Sequence, residues 1–593
     1  MTISKDFADF FIWLFASIIA YIFALQWIDS AIWQGHYLPT GADSFYHATR
    51  ILDVAVRNID FYEFDTKIHA PEGSWITWPW LYDWLLANAT KIYLKVGGNN
   101  PLSFLVYIPP TWIVINILLS LLIANEFRFH LSAKIFFVFS VAISPIIQEI
   151  HAVGRIDHHY VELTCILAAF LFGSKFIRGP NSASSAIILG LVFAISLGIH
   201  NGLFILQIPL LLTVFIKWLR KETLNESQIV LLTASLLLSL LFILFFSDPF
   251  RDAQYSFYTL SYFHLYVSSC TALSMLFFIR FSLNKRSLAL YIATGVFLVS
   301  FIMGQVAGGL DYIGSTLIGY ENIAETKTIL ERTQSLGIVA LVKQIGLVSI
   351  LSLIFFVWLL IKSYKLISYD LIYCCIFLTM GFGLMLFQLR FQYYGVLYLV
   401  FPLSLWLEYS THNKGIKTQY TLALVILFII TSIAFSWDKM HSRQYTGLSV
   451  AFDYTKLAYA PMADQCEKDP GIILSSKLVG HFIRYFTDCS VVVNTFIMTK
   501  QHQEKISLMR YLFAQPVETL KTTAPWIKYI FLTNGTGEQQ YIKSDTESLF
   551  SLLMSKRPYK SNNISILLQM YADDASHENK LFARFYKVNW TER

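Results

Sequence analysis

Asp157-His158-His159 follows Gly154-Arg155-Ile156 and leads into the apolar segment 161–176. A carboxylate and an imidazole two positions apart in the first turn of a helix are able to share one divalent cation. The free N–H groups of such a turn also favour an anionic phosphate. Acidic and imidazole side chains at a bilayer boundary are costly to desolvate, and something that binds them there offsets the cost. Asp157 is equally a residue type that caps a helix. Two more carboxylates stand in comparable places: Asp43, in Gly41-Ala42-Asp43-Ser44-Phe45-Tyr46-His47-Ala48-Thr49-Arg50, and Glu325, in Asn322-Ile323-Ala324-Glu325-Thr326. Arg390 ends another apolar segment, in Gln388-Leu389-Arg390-Phe391-Gln392-Tyr393-Tyr394. Its planar fork fits phosphate better than a lysine would, and its stem also suits snorkelling to headgroups.

The elements that must bring these residues together are read from the rest of the chain. Of its 593 residues 55% are hydrophobic and 14% charged, with mean hydropathy +0.53. Soluble domains carry roughly 25% charged residues, so most of this chain belongs in lipid. Apolar segments at 10–27, 102–124, 135–149, 161–176, 186–199, 203–216, 229–246, 262–279, 288–303, 338–361, 371–389, 396–407 and 421–435 predict about thirteen transmembrane helices. The first is too long for a signal-peptide core and lacks a small-residue cleavage site, so it reads as an uncleaved span. Every second loop is basic, with Arg128 and Lys134, Lys175 and Arg178, Lys217 to Lys221, Arg280 to Arg286, Lys362 and Lys365, and Lys414 and Lys417. Those loops are expected to be cytoplasmic. The loops holding Asp43, Asp157, Glu325 and Arg390 then share the outer face.

An odd number of spans also places 437–593 outside. Mixed charge and short strand-like runs at 471–474, 490–493 and 529–532, with an amphipathic stretch at 507–514, predict a soluble α/β domain there. Residues 1–436 form the transmembrane catalytic part. Cys466 and Cys489 are able to pair if the compartment is oxidising. The net charge of +6 comes largely from the short basic loops and is no sign of nucleic acid.

In order and content these motifs resemble those of the oligosaccharyltransferase catalytic subunits, the archaeal AglB type and more distantly bacterial PglB. Asp43 with Tyr46-His47-Ala48 resembles the family's first-loop Asp motif. His69-Ala70-Pro71-Glu72-Gly73-Ser74-Trp75-Ile76 and Pro79-Trp80-Leu81-Tyr82-Asp83 resemble stretches of the same loop. Asp157-His158-His159 matches the archaeal Asp-His-His motif, and Ile323-Ala324-Glu325 resembles the Ser/Thr-x-x-Glu motif. Arg390-Phe391-Gln392-Tyr393-Tyr394 resembles the family's Arg segment. The resemblance implies a GT-C type polytopic glycosyltransferase with a polyprenyl-linked glycan donor. It implies a divalent cation, Mn²⁺ or Mg²⁺, on Asp43, Asp157 and His159. It also implies donor-phosphate contacts from Arg390 and His158, and a Glu325 that handles the acceptor. Asp43, Asp157 and Glu325 are the expected catalytic set.

One departure stands out. The family's Trp-Trp-Asp-Tyr-Gly motif, which reads the Ser or Thr of an acceptor sequon, falls on Ser476-Lys477-Leu478-Val479-Gly480 ahead of His481-Phe482-Ile483, where only the Gly remains. An acceptor protein is expected, with a lipid or polysaccharide acceptor as the alternative. A transporter or flippase is the rival of another class, disfavoured because the ionisable residues crowd one face and no internal repeat is visible. The chain is expected to be integral to the plasma or inner membrane, with its active site extracytoplasmic. Reporter fusions at 440 and at Lys221 should give opposite sides; the same side from both would break the odd-span topology.

Overall fold

The computed structural model describes residues 5–26, 28–33, 35–179, 183–301, 304, 328–337, 348–366, 368–414, 425–426, 429–430, 458–533, 547–555, 559–561, 563–573 and 580–589. Glu325 and most of the segment 421–435 lie outside these residues. In lipid every backbone N–H and C=O needs a partner within its own segment, so apolar runs fold as helices. Helices occupy each of the first twelve predicted segments. Among the described residues seven helical runs are long and apolar enough to cross a bilayer: Asp6–Leu25, Pro101–Glu126, His159–Arg178, Asn201–Leu219, Glu226–Phe245, Tyr262–Arg280 and Tyr369–Phe387.

Proline divides two segments that the sequence presented as single spans. The helix Pro101–Leu105 stops before Ile108–Glu126, whose first turn holds Pro109 and Pro110. Leu131–Ala142 likewise stops before Pro145–Ile150. A proline lacks the N–H for the ladder and is tolerated in a first helical turn, so each break restarts the helix.

The first long loop is structured. It holds the helices Ala42–Ala55 and Trp80–Lys95 and a short hairpin of Phe64–Asp65 with Ser74–Trp75. The C-terminal part is α/β, as expected. Its five-stranded sheet runs in the order Ser490–Val491, Ile472–Leu474, Ile527–Thr533, Lys580–Val588, Ile564–Asp573. The first three strands are mutually parallel, and the last two join antiparallel. Cys466 and Cys489 form a disulfide between the helix Ala460–Lys468 and the residue just before the strand Ser490–Val491.

The sequence boundary near 436 does not divide the core. Val491 donates to Lys67 O at 2.8 Å and accepts from Ala70 N at 3.0 Å, so the first loop extends the edge of the C-terminal sheet. Tyr46, Ile68, Ile76 and Trp78 pack in one buried cluster with Ile473, Val479, Ile483 and Tyr529. Lys505 donates to Ala70 O at 2.9 Å and pairs with Glu72.

Glu63 anchors the hairpin on its other side. Its carboxyl accepts from Asp248 N at 2.6 Å and Ser247 Oγ at 3.4 Å, in the loop after Glu226–Phe245. Burial pushes its pKa from 4.5 up to about 7. A carboxyl raised in the folded state stabilises fully below pH 4.5, and that contribution is lost as pH rises through about 7. Melting temperature in detergent should therefore fall between pH 5 and 8, and Glu63→Gln should flatten that part of the profile. An unchanged slope in the variant would show that the carboxyl does not titrate there.

Candidate active site

Two glycines shape the loops that carry the ionisable groups. Gly154 is in the left-handed region (φ +80°), and a Cβ there would lie 2.7 Å from Ala31 Cβ and 3.1 Å from Leu38 O. Gly154 N donates to Val106 O and its carbonyl accepts from Thr40 N, so the turn before Asp157 is pinned between the first loop and the second span. Gly41 (φ +88°) precedes the helix Ala42–Ala55, and the Arg155 guanidinium fills the space its Cβ would need. Only glycine combines that backbone with such close approach.

From these turns a buried cluster is assembled. Asp157 Oδ1 lies 3.0 Å from His158 Nδ1 and 3.6 Å from His47 Nε2, and the two ring nitrogens are 3.0 Å apart. Asp157 Oδ2 is 3.5 Å from His159 Nε2. One helical turn on, Glu162 Oε2 meets His159 Nδ1 at 3.0 Å, while Oε1 lies 3.4 Å from both His158 Nε2 and His200 Nδ1. His158 and His200 stack with ring centres 5.2 Å apart, and the Tyr393 ring lies 5.0 Å from that of His159. Asp157, His158, His159 and Glu162 are all buried. Burial opposes the charge on Asp157, but the imidazoles of His159 and His158 outweigh it and hold the carboxyl well below the usual range. Burial alone would strip His158 of its proton; Asp157 and Glu162 instead push its pKa up to about 10.

The donor set fits a divalent cation. His47, Asp157 and His158 offer ligand atoms within 4.8 Å of one another, as do His158, His159 and Glu162. Asp157 Oδ1, His158 Nε2 and Glu162 Oε1 are buried and accept or donate no hydrogen bond, a cost that coordination would remove. Mixed imidazole and carboxylate donors suit Zn²⁺ or Mn²⁺ better than Mg²⁺, which prefers oxygen and water.

Asp157 and His159 thus come together as the sequence suggested, and Asp43 is placed differently. It begins the helix Ala42–Ala55, half-exposed, accepting from Thr495 Oγ1 at 3.1 Å and standing 3.9 Å from His481 Nε2. Neither group of three includes it. His158 is turned between Asp157 and Glu162 instead of towards solvent. Arg390 lies in the turn Leu389–Phe391, close enough to His200 for its charge to be felt there. The stretch Ser476-Lys477-Leu478-Val479 caps and opens the helix Lys477–Phe486, which packs beside Asp43 through His481. Sequence reasoning passed over His47, Asp83, Glu162 and His200. Glu162 follows His159 at the i+3 spacing of one helix face, which was a usable signal. His200 was hidden in a turn too short to register as a loop between 186–199 and 203–216.

An apolar cavity of about 530 Å³ begins at His200 and runs between Asn201–Leu219, Tyr262–Arg280 and Lys285–Ser300. His200, at its inner end, stands 3.4 Å from Glu162 Oε1.

This arrangement of helices, first loop and C-terminal sheet is shared with AglB from Archaeoglobus fulgidus. In complex with an inhibitory peptide and a dolichol-phosphate, that protein superposes with a TM-score of 0.69 over 88% of this chain and 69% of its own, at 16% identity. The fold is that of an archaeal oligosaccharyltransferase. The A. fulgidus protein with Zn and sulfate gives 0.65 over 87% and 67% at 16% identity, and the form tethered to an acceptor peptide containing an NVT sequon gives 0.66 over 88% and 69%, also at 16%. In sequence, 133 residues are 30% identical to dolichyl-phosphooligosaccharide-protein glycotransferase 1 of A. fulgidus, a stretch spanning 22% of this chain and 22% of that relative. No family model matches the chain. Motif resemblance and oligosaccharyltransferase fold agree.

Behind Asp43, Arg484 of the His481 helix is buried against Asp65 (3.1 Å), Asp53 (3.2 Å) and Tyr62 Oη (3.1 Å) of the first loop. Arg484→Ala leaves two buried carboxylates short of their partner, a loss of about 3–5 kcal/mol for such pairs. A marked drop in melting temperature and faster proteolysis between the two parts are expected. Wild-type melting would show that the docking does not depend on this contact.

Proposed function

We propose that the chain is an integral-membrane glycosyltransferase that moves a glycan from a polyprenyl phosphate or diphosphate to an acceptor protein. The observation that carries this reading is the buried cluster of Asp157, His158, His159 and Glu162 beside an apolar cavity lined by His200, whose Nδ1 is 3.4 Å from Glu162 Oε1. A charged headgroup and a hydrocarbon tail need those two environments side by side. The dolichol-phosphate and the peptides bound by the A. fulgidus relative support the same donor and acceptor classes. With the about thirteen spans the sequence predicts, the cluster and residues 437–593 would lie on the extracytoplasmic face, and the disulfide in that part supports this reading.

In this reading Asp157, His159 and Asp43 would hold a divalent cation. When bound, such an ion offsets the charge growing on the leaving phosphate. Arg390, joined by His158, adds charge-assisted hydrogen bonds to that phosphate. Glu325 orients the acceptor amide and takes its proton. The new bond forms from the acceptor to the anomeric carbon as the bond from that carbon to the phosphate oxygen breaks. Attack from the opposite face inverts the configuration.

With no indoles at 476–479, the hydroxyl of a sequon Ser or Thr lacks the aromatic walls that would hold it. A site built to bond a hydroxyl rejects its absence by 10⁴-fold or more, and one without that pocket discriminates weakly. Purified protein given a labelled lipid-linked glycan should glycosylate an Asn-x-Thr peptide, with Asn-x-Ala retaining a substantial share of the rate. Asp157→Ala and Glu325→Gln should abolish transfer while leaving the protein folded. Strict preference for Asn-x-Thr would mean that other residues read the hydroxyl; full activity of Asp157→Ala would overturn the reading.

A further inference from the structure

His47 is four residues beyond Asp43, one helical turn deeper, and is buried. Its ring lies flat on Trp78, with centres 4.1 Å apart at 17°. Its Nδ1 is 2.7 Å from Asp83 Oδ1, and the other oxygen of Asp83 accepts from Arg50 at 2.5 Å. Arg50 is itself fixed, donating to Tyr62 O at 3.3 Å and lying 4.7 Å over the Phe61 ring. A carboxylate that already accepts from a guanidinium has only acceptor capacity to offer the imidazole. His47 therefore carries its proton on Nδ1 and directs the Nε2 lone pair at Asp157 and His158.

We propose that His47 is a ligand of the divalent cation, and that Asp83, held by Arg50, is the positioning residue that fixes its tautomer and orientation. The inference rests on the reading above that this site holds a cation. Three distances support it. His47 Nε2, Asp157 Oδ1 and His158 Nδ1 are separated by 3.0, 3.0 and 3.6 Å. Ligand atoms around a four-coordinate ion with bonds of roughly 2.0–2.1 Å stand about 3.3 Å apart. Behind the His47 ring stands a carboxylate at hydrogen-bonding distance, Asp83 Oδ1 at 2.7 Å from Nδ1. A carboxylate on the far nitrogen of a metal-binding histidine is the usual device for setting tautomer and raising ligand basicity. Asp157 Oδ1, facing both rings, takes no hydrogen bond.

The test uses the full chain in detergent and Mn²⁺ alone, with free Mn²⁺ followed by electron paramagnetic resonance and nitrogen couplings of the bound ion by electron spin-echo modulation. Wild type should show imidazole nitrogen coupling. His47→Gln should lose one such coupling and weaken Mn²⁺ binding by about 10–100-fold at unchanged melting temperature, and Asp83→Asn should weaken it similarly. Should Asp83→Asn unfold because Arg50 is left unpaired, the double variant Asp83→Asn/Arg50→Met removes both charges and carries the same expectation. Wild-type affinity and coupling in His47→Gln, with Asp157→Ala losing the ion, would reduce His47 to a packing residue and overturn the proposal. Retention of Mn²⁺ by Asp157→Ala would overturn it too. Because the readout is binding, absence of glycosyl transfer with normal Mn²⁺ binding would count against the proposed function and leave this assignment standing.

Discussion

Ionisable groups withdrawn from water must be matched by one another, and this constraint organises the membrane face of the molecule. Asp83, Asp157 and Glu162 are almost wholly inaccessible, and each faces imidazoles at hydrogen-bonding or near-bonding distance. An unmatched carboxylate at such depth would cost several kcal/mol. The first loop, the 151–158 turn and the turn at His200 are consequently tied to one another by charge as well as by packing. Of the cluster only His200 lines the apolar cavity, so the carboxylates stay behind it and the cavity walls stay largely hydrocarbon.

A second network, around Arg484, holds the C-terminal sheet against the same loop. Asp53 bonds both Arg57 and Tyr62, and Asp65 bonds Tyr46, so the helix Ala42–Ala55 is gripped along its length. Asp43 and His47 project from that helix. Positions of both are therefore set from two sides, by the loop helix Trp80–Lys95 through Asp83 and by the C-terminal helix Lys477–Phe486 through Arg484 and His481. The half-exposed Asp43 marks where the two parts meet.

Much of this was legible in the sequence, for identifiable reasons. The helices follow from apolar length, and the strands 472–474, 490–491 and 527–533 from short β-rich runs between turns. Asp157 and His159 were legible because a polar motif interrupts an apolar pattern. Asp43 was legible as a position but its surroundings were not, since Thr495 and His481 come from more than 400 residues away. His47 and Asp83 stood inside quoted strings without a role, because only the fold shows which nitrogen faces which oxygen. Proline at 109–110 and 145 announced the helix breaks more plainly than the apolar count did. Glu325 had a motif to recommend it and lies outside the described residues.

The strand Ser490–Val491 has its outer edge closed by residues 67–70 of the first loop, and the sheet's hydrophobic underside is completed by Tyr46, Ile68, Ile76 and Trp78. An uncovered strand edge is a template for pairing with other chains. The C-terminal part thus borrows the cover of one sheet edge and four buried core residues from a segment some 400 residues earlier. Synthesised in order, the loop precedes the sheet whose edge and core it completes. A fragment cut at the membrane boundary would present that edge bare and would aggregate, even though its sequence alone reads as an ordinary soluble domain.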